Sequence, residues 1–109
     1  MAVSRFDDAY KLYEKAISVM EKHNDGMLEV AITYLNIASA KEAELGLEDN
    51  KKIIEEYLYK AMRILDEYEN RDGYYAFVCE KCASVFGYYG FFAYQNDLTE
   101  RARKIYERS

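Results

Sequence analysis

The stretch Val30–Leu65, VAITYLNIASAKEAELGLEDNKKIIEEYLYKAMRIL, decides the fold. It reads as two amphipathic helices hinged at Gly46. In the second, Ile54, Tyr57, Leu58, Ala61, Ile64, Leu65 and Tyr68 recur at i, i+3, i+4 and i+7, the rhythm of a helix that buries one face. The first is apolar nearly all round. Val30, Ala31, Tyr34, Leu35, Ile37 and Ala38 leave only a thin polar seam at Glu29, Thr33 and Asn36, so this helix must be covered on more than one side. A hairpin of this kind cannot bury itself alone, which implies a stack of similar hairpins.

The flanks extend the pattern. Before the hairpin, Phe6, Ala9, Tyr13, Ala16, Ile17 and Met20 mark a helix with Ser4 as cap and Asp7 three positions on, ending near His23 in the turn Asn24-Asp25-Gly26. The second helix then runs from about Met27 to Leu45, with Gly46 expected as a left-handed C-cap. The third starts at Asp49 or Asn50. A second Asp-Gly, Asp72-Gly73, opens a fourth helix spanning about Tyr74 to Tyr94, and Asp97 with Glu100 has the spacing of a capping box for a fifth that ends at Arg108. The expectation is therefore all-α, about five helices in stacked antiparallel hairpins, with no strand-like alternation of useful length. At 109 residues this fits one domain, complete or a piece of a longer repeat array.

An internal repeat supports the stack. The pattern Phe6-x-x-Ala9-x-x-x-Tyr13-x-x-Ala16-Ile17 returns about 45 residues later as Ile54-x-x-x-Leu58-x-x-Ala61-Met62, and more faintly as Leu98, Ala102 and Tyr106. On these residues the chain resembles the tetratricopeptide repeat (TPR) family. Phe6 to Ile17, FDDAYKLYEKAI, is similar to the second helix of such a repeat, and Tyr34-Leu35-Asn36-Ile37-Ala38 to the aromatic-x-Asn-Leu-Gly segment of its first. The spacing is longer than the family's roughly 34 residues, no proline closes the unit, and Ala38 or Ala83 stands where the family has glycine.

The resemblance implies a right-handed TPR-like solenoid that binds a protein or peptide along its concave face, with no catalytic residues. The concave positions would be Ile32, Leu35, Ser39, Glu42 and Ala43 in one helix and Phe77, Glu80, Ser84 and Tyr88 in the other. From these and their neighbours, Asn36, Ser39, Glu42, Glu80, Ser84 and Tyr88 are the candidate partner-binding residues. The opening helix would also lack its usual first-type partner. Phe6, Tyr10, Tyr13 and Ile17 would then be left partly uncovered, and a weak two-fold homodimer is the expected consequence.

Other chemistries find little support. Cys79-Glu-Lys-Cys82 has the spacing of a redox or zinc half-site, yet it sits inside a helical pattern with no second pair, so two reduced, packed thiols are expected. His23, the only histidine, suits a helix end better than a catalytic base. No glycine-rich phosphate loop or nucleophile triad can be assembled, and no cofactor or metal is called for. A net charge of -5 disfavours nucleic acid and acidic lipid, and the cations Arg101, Arg103, Lys104 and Arg108 suit a helix C-terminus. Tyr74 to Tyr94 could span a bilayer by length, but Glu80 and Lys81 lie in its middle. Nothing at the amino terminus directs secretion, so the cytoplasm is the expected location. The densest feature is aromatic: Tyr74, Tyr75, Phe77, Phe86, Tyr88, Tyr89, Phe91, Phe92 and Tyr94. These either fill a core or present a surface, and the alternative to a peptide scaffold is a small-molecule sensor or enzyme with a ligand pocket around this fourth helix.

Overall fold

The computed structural model describes residues 2–22 and 26–108, with side chains except those of 2–7, 45 and 47–49. The chain is all-α, with five helices: α1 Ala2–Met20, α2 Met27–Leu45, α3 Leu47–Glu67, α4 Gly73–Tyr88 and α5 Phe92–Arg108. There is no strand among the described residues, and no helix there is long and apolar enough to cross a membrane. The chain forms two compact units, 1–66 and 67–109.

In the first unit, the tyrosine hydroxyl of Tyr10 in the middle of α1 donates to Glu44 Oε1 at the end of α2 (2.9 Å). Just past the end of α1, Glu21 faces Tyr34 in the middle of α2 and helps raise its phenol pKa, after burial itself. Partner numbers running in opposite directions define an antiparallel pair. Tyr34 and Tyr57, nearly equidistant in sequence from Gly46, bring their ring centroids to 6.0 Å and continue the hairpin into α3. Lys60 Nζ lies over both rings, 5.5 and 5.0 Å from their centroids.

Burial follows the periodicity. Leu28, Val30, Ala31, Leu35, Ile37 and Ala38 of α2 are all at most 4% exposed, so α2 is covered on several faces. On α3 the stripe Ile54, Leu58, Ala61 and Leu65 is closed to solvent while Tyr57 and Ile64 are half-buried. Thr33 departs from the expected polar seam: it is buried, and its hydroxyl donates to the Glu29 carbonyl (2.8 Å), which removes the cost of hiding it. In α1, Tyr13, Ala16, Ile17 and Met20 are only half-buried. Tyr10 is not an uncovered apolar residue, because Glu44 takes its hydroxyl and Lys41 Nζ sits 3.9 Å from its ring centroid.

Several boundaries differ from the sequence reading. α1 already begins at Ala2, upstream of Ser4; the side chains of Ser4, Phe6 and Asp7, and all of His23, Asn24 and Asp25, lie outside the described residues. Gly46 is the C-cap of α2 and has the positive φ expected of it (84), although its ψ of 160 lies outside the left-handed helical well; its N–H reaches the Glu42 carbonyl. α3 starts at Leu47, ahead of the expected Asp49 or Asn50, although Asn50 itself is non-helical (φ -126, ψ 16) and its buried amide donates back to the Gly46 carbonyl.

In the second unit, α4 and α5 form an antiparallel hairpin. Phe86 meets Tyr94 edge-to-face at 4.9 Å beside the turn, and Arg101 reaches Tyr75 at the far end. Asp72 caps α4 by accepting from the Tyr75 N–H at 3.1 Å. The expected continuous helix to Tyr94 is two helices. Gly90 at φ 88 turns the chain between them, a conformation that a side chain would resist. Gly87 does stay inside α4, where a Cβ would stand 2.3 Å from the Gln95 amide of α5. Asp97 is consequently mid-helix and pairs with Arg101 (2.7 Å) instead of capping. The buried stripe of α5 is Leu98, Ala102 and Ile105; Tyr106, expected in that role, is 44% exposed.

Candidate functional site

Asp72 fixes where α4 starts, and the rotation of α4 then follows from what it buries. Tyr75, Ala76, Val78, Cys79, Cys82, Ala83 and Phe86 are all 4% exposed or less. The opposite stripe is left to solvent. Phe77, Lys81, Ser84 and Tyr88 lie at i, i+4, i+7 and i+11, one face of a helix, with Tyr74 and Glu80 on its margins. Three large aromatics on this stripe are open: Tyr74 44%, Phe77 53% and Tyr88 69%. Their side chains are organised by one another. Tyr74 and Phe77 stack at 6.5 Å, Lys81 Nζ lies 5.9 Å from the Phe77 centroid, and Tyr88 meets Tyr89 edge-on at 4.9 Å. Ser84 donates to the Lys81 carbonyl. On the α5 side, partial desolvation and then the Glu80 carboxylate push up the Tyr106 phenol.

Such a stripe can remove water from apolar side chains of a partner and hydrogen-bond at its edges. It holds Glu80, Ser84 and Tyr88 together, as the sequence spacing implied. On α2, Asn36 and Ser39 are exposed with Ala43 on one face, Glu42 and Ile32 are half-buried, and Leu35 is turned inward at 3%. The α2 and α4 residues belong to different compact units.

The chain matches no family model, no curated protein and no solved structure.

The thiols are inert by environment. Cys79 and Cys82 are free and buried, and burial pushes both thiol pKa values up, that of Cys82 to about 12. A protonated thiol is a poor nucleophile and a poor metal ligand. Among the described residues no three His, Cys, Asp or Glu side chains are grouped to hold a metal. The aromatic run divides by depth: Tyr75 and Phe86 are core, Tyr89, Phe91 and Tyr94 half-buried, and Tyr74, Phe77, Tyr88 and Phe92 exposed.

One constellation escaped the sequence reading. Arg71, in the segment before α4, joins Arg101, Lys104 and Arg108 of α5 around an open cleft. The spacing i, i+3, i+7 of the last three was a signal of a shared cationic face. The role of Arg71 was not legible, because only the hairpin brings it there.

Proposed function

We propose that the chain is a non-catalytic, TPR-like scaffold that binds a protein or peptide partner, with the outer stripe of α4 as the principal contact. The carrying observation is the exposure of Tyr74, Phe77 and Tyr88 on the same stripe as Glu80, Lys81 and Ser84. Aromatic side chains at the centre of an interface supply most of its energy, while mixed charge at the margins sets register. Phe77 and Tyr88 are eleven residues apart, a rise of about 16 Å along a helix. An extended peptide covers that span with about five residues. Asn36 and Ser39 form the corresponding outward face on α2.

The test is selection of peptides from a random library on the full chain, followed by affinity measurement on variants. Phe77→Ala with Tyr88→Ala should weaken the selected peptides at least about tenfold, the loss expected for truncating anchor aromatics. Glu80→Lys with Ser84→Arg should also weaken them, and circular dichroism should stay unchanged because all four residues face solvent. Undiminished affinity in both variants would move the contact away from α4.

A further inference from the structure

The cleft has a volume of about 640 Å³ and is lined by Glu69, Arg71, Arg101, Lys104, Ile105 and Arg108. That size lies in the range of small-molecule sites. Its charge is unusual for this chain. The unit 67–109 carries six Lys or Arg and seven Asp or Glu, yet four of those cations and only one carboxylate line the cleft. Three of the other six carboxylates are engaged away from the cleft, and a fourth, Asp97, pairs with the cleft's own Arg101. Glu100 and Glu107 pair with Arg103 on the opposite face of α5, and Asp72 caps α4. Helix polarity accounts for Arg108 at the α5 C-terminus. It does not account for Arg101, two turns earlier, or for Arg71, which is in neither helix.

Two of the guanidinium groups are held in place by Tyr75. Arg71 Nε donates to the Tyr68 carbonyl at 3.0 Å, and its guanidinium lies 5.1 Å from the centroid of the buried Tyr75 ring. Tyr68 stacks on the same ring at 5.9 Å, nearly parallel. Arg101 Nη1 donates to the Tyr75 hydroxyl at 3.1 Å while Nη2 meets Asp97. Fixed guanidinium groups lose little freedom when an anion arrives, and their planar forks match phosphoryl oxygens. Set against Glu69 and the Asp97 carboxylate on Arg101, the four cations leave an excess of two positive charges, which suits a group with more than one negative charge, as a phosphate ester has at neutral pH and a single carboxylate has not.

We propose that this cleft binds a small phosphorylated molecule, whose phosphoryl oxygens meet Arg71, Arg101, Lys104 and Arg108. Ile105 gives its organic part an apolar contact, and Glu69 accepts a hydrogen bond from a hydroxyl or amino group on it. The site is separate from the α4 stripe and stands without it.

Isothermal titration of the full chain with pyrophosphate and with citrate, at low salt, tests the assignment. Pyrophosphate should bind one to one and more tightly than citrate. Lys104→Gln with Arg108→Gln should weaken it at least about tenfold, since two charge-assisted contacts are lost. Arg103→Gln, an equal kind of charge change on the other face of α5, should shift affinity less than about twofold. Should the double variant unfold, Arg71→Gln outside both helices should give the same loss. Absence of saturable binding, an equal loss in Arg103→Gln, or citrate binding as tightly as pyrophosphate would each overturn the proposal.

Discussion

Cys82 and Tyr75 link the stability of the second unit to alkaline pH. Burial raises the Cys82 thiol from 9.0 to about 12; it also raises the Tyr75 phenol from 10.0 to about 12, against the opposing Arg101 hydrogen bond. The unfolded chain gives up these protons first, so above pH 9 the folded state binds more protons than the unfolded one. Stability contributed by these groups is therefore complete below pH 9 and is lost as pH rises toward 12. The urea midpoint should fall across that window, and the fall should be shallower in Cys82→Ala; identical slopes would mean that the thiol is wet. The sequence reading of two packed thiols followed from their place in a helical pattern, and the fully buried positions agree with it. Small residues were legible for the same reason. Ala38 and Ala61 are both 0% exposed, so Ala38→Trp or Ala61→Trp should overpack the core and cost at least about 1–3 kcal/mol in chemical denaturation. Wild-type stability in either variant would contradict the observed packing.

At the scale of elements, legibility depended on contrast between wet and dry sides. α3 has both, and its stripe Ile54, Leu58, Ala61 and Leu65 could be read directly. Between α4 and α5 the contrast vanishes, because the turn at 89–91 is built from Tyr89, Gly90 and Phe91 rather than from Asn, Asp or Ser. An apolar run therefore concealed a break, and the capping box assigned to Asp97 was displaced into the middle of α5. Two substitutions probe this hairpin. Asp72→Ala removes the acceptor for the Tyr75 N–H and should cost about 1 kcal/mol. Gly90→Ala forces a side chain onto φ 88 and should cost about 1–2 kcal/mol. Both are read from thermal or urea unfolding. A neutral Gly90→Ala would mean that the helix runs on through Gly90 toward Tyr94, as the apolar run suggested.

For the whole molecule, charge is the property that most restricts partners. The net charge is -5, with 20 carboxylates against 15 Lys and Arg. Part of the stripe on α4 was legible, as Phe77, Glu80, Ser84 and Tyr88, because these positions share one helix; Tyr74 and Lys81 were not read as part of it. The cationic cleft was not legible, since it joins Arg71 to residues thirty and more positions later. Its four cations raise the question of nucleic acid. Neutralising four phosphates of a duplex gives a salt slope of about -3.6 in log K against log salt, so affinity would fall by about two orders of magnitude between 50 and 200 mM. The surplus of carboxylates opposes the approach of any long polyanion at every salt concentration, whereas a small phosphorylated ligand meets mainly the local field of the cleft. Electrophoretic mobility shift with a duplex of mixed sequence should accordingly show no complex at micromolar protein and about 150 mM salt. A shift that persists there and disappears in Lys104→Gln with Arg108→Gln would assign the same four cations to a nucleic-acid backbone.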